Sequence, residues 1–422
     1  MPLAIVVAVV GAAIGVPFAF ALLLAAIPGI NALGLPPYVV PQRMFLQMTS
    51  PSFLAIPFFI ITGEAMARSG MAMRLVDLAR ALVGHFRGGL AQSSILMSVG
   101  FAAVNGSGVA DAAASSRILV PEMKREGYKP TFSAAVLAAG SALGPIIPPS
   151  IVMIIYAGMT GLSVSAMFLG GVLPGLVIAA GYMVVVWWVC RGQEDTRHPR
   201  ASVRQFLTAF RTAMWALIAP AIIIVGILSG YFTATEAGSV AAIYILLVWA
   251  FVYRTMTVRA LLDVLQEAAV TSGVVLMIVS TASIFAWMLG FTDVPGALES
   301  FLSGLPAPVL ITVVCCVVLI ILGCVMDSLA AAIVLVPVIH PIAVGAGLDP
   351  LQFAVVVAMS IVVGGITPPV GIYLFIPARA AGVTLWAASR SIVPFLGVVF
   401  CVLALAIVWA PLTTWLATAM GP

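Results

Sequence analysis

Two short segments, GPIIPPS (residues 144–150) and GGITPPV (residues 364–370), stand 220 residues apart. Each puts two adjacent prolines inside a long apolar run. Proline lacks an N–H, and its ring clashes with the carbonyl four residues back, so each pair breaks its helix. Sliding the chain by 220 residues brings more Gly and Pro into register. The pairs are Gly70/Gly290, Gly84/Gly304, Pro121/Pro341, Gly127/Gly347, Pro130/Pro350, Gly144/Gly364, Pro148/Pro368, Pro149/Pro369 and Pro174/Pro394. Composition alone gives roughly one or two such coincidences, so the chain carries an internal repeat.

Upstream of each proline pair lies a second matched segment. NGSGVADAAASSRI begins at Asn105 and GCVMDSLAAA at Gly323, and the shift drops Ser107 on Asp327 and Gly108 on Ser328. These small, polar clusters sit at the centres of apolar stretches near 89–121 and 308–341. Each is read as a re-entrant hairpin, because non-helical backbone is tolerated at membrane depth only when it is buried in protein or lines a cavity.

Composition sets the environment. Hydrophobic residues make up 63% of the 422 positions and charged residues 8%, against roughly 25% charged in a soluble domain. Most of the chain must face lipid or other helices. Spans are expected near 3–27, 50–67, 131–158, 163–190, 213–231, 237–254, 268–290, 351–376 and 391–416. The apolar start exceeds the roughly 7–15 residues of a signal-peptide core and carries no Lys or Arg before Arg43, so it is read as the first span. The fold class is therefore an all-α polytopic membrane protein with two re-entrant hairpins and two proline-broken helices. Its organisation is a first repeat over 1–190, a linker over 191–212 and a second repeat over 213–422.

The net charge of +4 is concentrated in a few segments. Arg68, Arg74, Arg80, Arg87, Arg117, Lys124, Arg125 and Lys129 follow the second span and the first hairpin. The matched stretches 288–307 and 337–349 hold no Lys or Arg, only Asp293, Glu299 and Asp349. Positive charge marks the cytoplasmic side, so the two copies are expected to be inverted, with the Arg-rich linker cytoplasmic. Segment 69–87 alternates Met71, Leu75, Leu78, Leu82 and Phe86 with arginines, and is read as an amphipathic interfacial helix.

The chemistry follows from the breaks. Residues ahead of each proline pair have carbonyls without helical partners, and a hairpin tip adds free carbonyls and hydroxyls. Such oxygen sets suit a hard cation such as Na+, and half-helix N-termini suit an anionic substrate. Thr367 is either a hydroxyl ligand or back-bonds its own helix. Asp111 either lines the site or satisfies backbone groups of the hairpin. Asp327, a carboxylate at a hairpin tip, is the foremost functional residue, since intramembrane charge is costly. Glu64 and Arg379 fall near span ends. Gly84, Gly170 and Gly171 are read as packing residues.

Several functions are excluded. There is no G-x-x-x-x-G-K-[ST] motif for ATP, no H-E-x-x-H among His85, His198 and His340, and no basic–aromatic patch for nucleic acid. The five cysteines show no C-x-x-C spacing. No cofactor and no enzymatic activity are called for.

FAAVNGSGVADAAASSRILVPEMKREGYKP from Phe101, AAGSALGPIIPPSIVMIIYAGMTG from Ala138 and GGITPPVGIYLF from Gly364 resemble the large membrane subunit of tripartite ATP-independent periplasmic (TRAP) transporters, the DctM-like family. The resemblance covers essentially the whole chain. It implies a sodium-driven elevator carrier for organic acids in a bacterial or archaeal cytoplasmic membrane. Its implied partners are a small four-helix membrane subunit, expected here as a separate chain, and a soluble periplasmic substrate-binding protein. By the resemblance Ser107, Ser150 and Asp327 contact substrate. One sodium site uses Asn105, Ser107, Gly108, Gly144, Ile147 and Pro149. The other uses Gly323, Met326, Ser328, Gly364, Thr367 and Val370. The chain departs from many relatives, which carry serine where it has Asn105 and Gly108. The alternative is a stand-alone Na+-coupled di- or tricarboxylate symporter of related fold; a channel would need a carbonyl filter or charge ring that the sequence lacks.

Overall fold

Glycine and proline punctuate the helices as the sequence leads one to expect, and the computed structural model describes residues 2–192, 199–292, 296, 300, 307–324 and 328–420. Every regular element among them is a helix. The amino-terminal part holds α1 (Pro2–Ala13), α2 (Phe18–Ala32), α3 (Val39–Met48), α4 (Pro51–Arg68) and α5 (Met71–Val83). A first block follows: α6 (Gly89–Asn105), α7 (Gly108–Arg125), α8 (Pro130–Ser141), α9 (Ile151–Thr160) and α10 (Val164–Val189). Three long helices come next, α11 (Val203–Leu228), α12 (Ala234–Leu247) and α13 (Val258–Leu289). The second block is α14 (Pro308–Gly323), α15 (Ser328–Gly345), α16 (Pro350–Ile366), α17 (Ile372–Ala380) and α18 (Leu385–Val408), closed by α19 (Pro411–Met420).

The 220-residue shift superimposes α6–α10 on α14–α18. Helices α7 and α15 coincide residue for residue, and the other four pairs start within one residue of each other. Pro130 and Pro350 both take the first position of their helices, where the missing N–H costs nothing. Both diproline peptides, Pro148–Pro149 and Pro368–Pro369, are cis.

Apart from the two spans broken at their proline pairs, two further expected spans are not single helices. The run 3–27 folds into α1 and α2, which pack as a hairpin with Gly11 against Ala21 and Gly29 against Ala4. Gly15, at φ +87°, and Pro17, just ahead of α2, make the turn. The run 391–416 divides into α18 and α19 at Pro411. That proline leaves the carbonyls of the preceding turn without partners, and the Gln352 amide donates to both Ala406 O (2.9 Å) and Ile407 O (3.0 Å). The expected linker 191–212 is partly helical, since α11 starts at Val203 behind a Ser202/Gln205 capping box.

Among the described residues, α10, α11, α12 with its π-turn extension to Tyr253, α13 and α18 are long and apolar enough to cross a membrane. Helices α3 and α4 form a sixth candidate, bent by 59°. Their outward valines, including Val184, Val225, Val270 and Val393, are exposed in a pattern suited to lipid rather than water. The amphipathic α5 buries Met71, Leu75 and Leu78 against α6 and α11, while Arg80 pairs with Glu122 at the end of the first hairpin.

Helix α4 packs on both α12 and α13 to form an arm, and α13 also touches α2, α3 and α15. Within the two blocks, the half-helices after the breaks are exchanged. Helix α17 of the second block packs on α7 and α8 of the first, and α9 of the first packs on α15 of the second. Tyr156 Oη and His340 Nδ1, 2.9 Å apart and buried, tie α9 to α15.

Candidate functional site

The first hairpin turns at Asn105–Gly108. Asn105 Oδ1 accepts from Ser107 N (3.0 Å), and Ser107 Oγ accepts from Ala110 N (3.3 Å), capping α7. Gly106, between them, is left-handed at φ +60°, and a Cβ there would run into Pro149 O. The tip therefore docks on the first proline break through backbone, and Ile151 N donates to Gly106 O (3.4 Å). Gly144 completes the contact, since a Cβ on it would lie 3.0 Å from Gly108 N. Asn105, Ser107, Gly108, Gly144, Pro149 and Ser150 thus come together at this dock, and Ile147 lies in the same break three residues beyond Gly144. The carbonyls of Gly144, Ile147 and Pro149 have no hydrogen-bond partner among the described residues. An oxygen-rich, water-poor cluster of this kind is the chemistry of a small hard cation.

Ser150 is fully buried. Its hydroxyl donates to Pro145 O (2.6 Å) and accepts from Met153 N (3.3 Å), so it clamps the break and caps α9 together.

At the second break, Gly323 and Gly364 meet backbone to backbone, with a Cβ on Gly323 only 3.1 Å from Gly364 Cα. Val370 N donates to Cys324 O (3.2 Å), which ties the second break to the end of α14. Thr367 back-bonds its own helix, Oγ1 to Val363 O at 2.6 Å, which leaves the oxygen lone pairs available to an ion. Met326 and Asp327 lie outside the described residues, as does the side chain of Ser328, which opens α15.

Asp111 is fully buried in α7 beside the hydroxyls of Ser98 and Ser141, and its oxygens hold no backbone donor. Ser107 performs the capping. Glu64 and Arg68 lie on the arm, where Arg68 reaches Asp263 (3.5 Å); Arg379 is exposed at the end of α17. Two contacts escaped the sequence. Tyr373 of α17 rests on the first tip, with its ring 2.9 Å from where a Gly108 Cβ would be, and Gly63 of α4 makes room for Asn105. The only signal for either was a small residue facing a site, which is common in any membrane helix.

Residues 4–412 match the family described as "Tripartite ATP-independent periplasmic transporter, DctM component". The chain belongs to the DctM family of TRAP transporter large permeases. It is 38% identical to the 2,3-diketo-L-gulonate TRAP transporter large permease protein YiaN of Escherichia coli over 395 residues, 93% of either chain. It is 39% identical to the C4-dicarboxylate TRAP transporter large permease protein DctM of Pseudomonas aeruginosa over 355 residues, 84% of this chain and 83% of that one. The fold is also that of the Alcanivorax borkumensis YdaH transporter, with TM-score 0.63, 13% identity and coverage of 90% of this chain and 89% of the other. The DctM permease is thus a multi-pass membrane transport protein and not an enzyme.

Proposed function

We propose that this permease drives Na+-coupled uptake of an organic acid across a bacterial or archaeal cytoplasmic membrane. The acid is a carboxylate handed over by a periplasmic binding protein, and a small four-helix membrane subunit completes the complex. The observation that carries the reading is the paired docking of hairpin tip on proline break, Gly106 with Ile151 and Cys324 with Val370. At the first dock the carbonyls of Gly144, Ile147 and Pro149 lack partners among the described residues, and an ion would replace the missing donors. The permease relatives named for diketogulonate and C4-dicarboxylate transport support a carboxylate substrate. Ser107, Ser150 and Asp327 are assigned to the substrate, with a sodium site on either side. The two blocks are read as inverted repeats that move past the arm in an elevator stroke, the Lys/Arg-rich loop at 122–130 being cytoplasmic.

The test is uptake into proteoliposomes containing the permease, its small subunit and its binding protein. Accumulation should follow an imposed Na+ gradient without ATP and vanish when choline replaces Na+. Equal uptake in choline, driven by a proton gradient, overturns the coupling; uptake by the permease alone overturns the tripartite assembly.

A further inference from the structure

Arg43, on α3, is the first basic residue of the chain and is exposed. Its guanidinium lies over the Trp287 ring, 4.5 Å from the centroid. Among the described residues no carboxylate stands within 4.0 Å of it, whereas Arg68 and Arg80 have Asp263 and Glu122. Instead Arg43 faces a cavity of about 340 Å³, lined also by Gln47, Ser283, Trp287, Met159 and Pro337. That volume falls at the lower end of the roughly 300–1,000 Å³ usual for small-molecule sites.

The cavity lies where four helices meet. Arg43 and Gln47 come from α3, Ser283 and Trp287 from α13, Met159 from α9 and Pro337 from α15. Met159 is nine residues along α9 from Ser150, and Pro337 nine residues along α15 from Ser328. At 1.5 Å per residue, both helices run about 14 Å from the site to this cavity. By the charge asymmetry of the loops, that end of both helices is periplasmic.

The lining matches one kind of ligand. A guanidinium offers paired N–H donors in the geometry of a carboxylate. The indole face holds the fork flat and shields one side of it from water. Gln47 adds an amide donor. Ser283 Oγ already donates to Ser280 O (2.9 Å), so its lone pairs are left to accept from a substrate hydroxyl. Met159 and Pro337 give the carbon chain an apolar wall.

We propose that this cavity is a low-affinity holding site for an organic carboxylate, gripped by Arg43 over Trp287, before the substrate moves to the hairpin tips. The proposal rests on the importer reading above, and its test does not require transport. In a Cys401→Ser background, where the remaining cysteines are buried, Ser283→Cys puts a single accessible thiol in the cavity. The full chain in lipid nanodiscs is reacted with a negatively charged and a positively charged methanethiosulfonate of similar size. The anionic reagent should react faster, and Arg43→Gln should lower the anion-to-cation rate ratio about tenfold. Arg43→Lys should restore most of that ratio. Succinate, used as probe, should slow the anionic reagent in the Arg43 protein and not in Arg43→Gln. An unchanged ratio in Arg43→Gln, an equal fall in both rates, no recovery with Lys, or no effect of succinate would each overturn the proposal. Na+-driven uptake by the same preparations, with partners added, judges the importer reading separately.

Discussion

The two proline breaks come from matched sequence and are built differently. The first leaves nine residues, 142–150, between α8 and α9, and all nine are buried. The second leaves five, 367–371, between α16 and α17, and Pro369 and Val370 are exposed. One position accounts for the lengths. The first break has Pro145 where the second has Gly365. A proline expels the helix from the carbonyl four residues back, and α8 stops at that residue, Ser141. With glycine there, α16 runs on to Ile366. The caps diverge too: Ser150 binds α9 by its side chain, whereas α17 starts behind Gly371, φ +46°, with no side-chain cap. A duplicated motif has thus become one sealed, hydroxyl-clamped break and one short, open one.

That contrast can be broken most directly with Gly365→Pro. It should unwind α16 from about Ile361, cost about 3 kcal/mol or more, and abolish transport. Thermal unfolding of the purified permease with parallel uptake would show it, and wild-type behaviour would mean that Pro145 does not set the length of the first break. Next in size is Gly106→Ala, which forces a methyl onto Pro149 O at positive φ. A loss of about 2–4 kcal/mol and at least a tenfold fall in uptake are expected. Gly127→Ala, also at positive φ (+79°) but in open space, should cost only about 1 kcal/mol and leave uptake intact. If the two behave alike, the tip does not need its close dock. The smallest effects separate the two hydroxyls. Ser150→Ala removes a cap and a clamp and should cost about 1–3 kcal/mol. Thr367→Val removes only a back-bond and should change stability by less than about 1 kcal/mol, yet raise the Na+ concentration for half-maximal uptake. A stability loss in Thr367→Val equal to that in Ser150→Ala would remove the distinction.

The repeat was legible because Gly and Pro impose backbone geometry that side-chain substitution cannot mimic. Hence α7 and α15 agree residue for residue, and the first hairpin tip lies against its own proline break. Apolar runs carried less. A run such as 3–27 reports lipid, not direction, so the turn at Gly15–Pro17 was hidden inside it. The end of α18 depended on Gln352, more than fifty residues away, satisfying carbonyls that Pro411 had freed. Nor does local pattern say which half-helix packs on which hairpin, so the Tyr373 contact with the first tip was out of reach.

The exchange of half-helices bears on how the chain is made. The first hairpin leaves the ribosome with the face that α17 covers still bare, and α17 is not synthesised until about 250 residues later. At roughly 5–20 residues per second, that is a wait of about 13–50 s in the bilayer. Until then a tip rich in Ser, Gly and Asp111 sits without its Tyr373 lid. The first repeat is therefore a dependent piece during biogenesis. A ribosome stalled after α13 should leave a hairpin that is open to protease or returned to the insertion machinery. The same chain cut within 193–198 and expressed as two parts should mature only when both halves meet in one membrane.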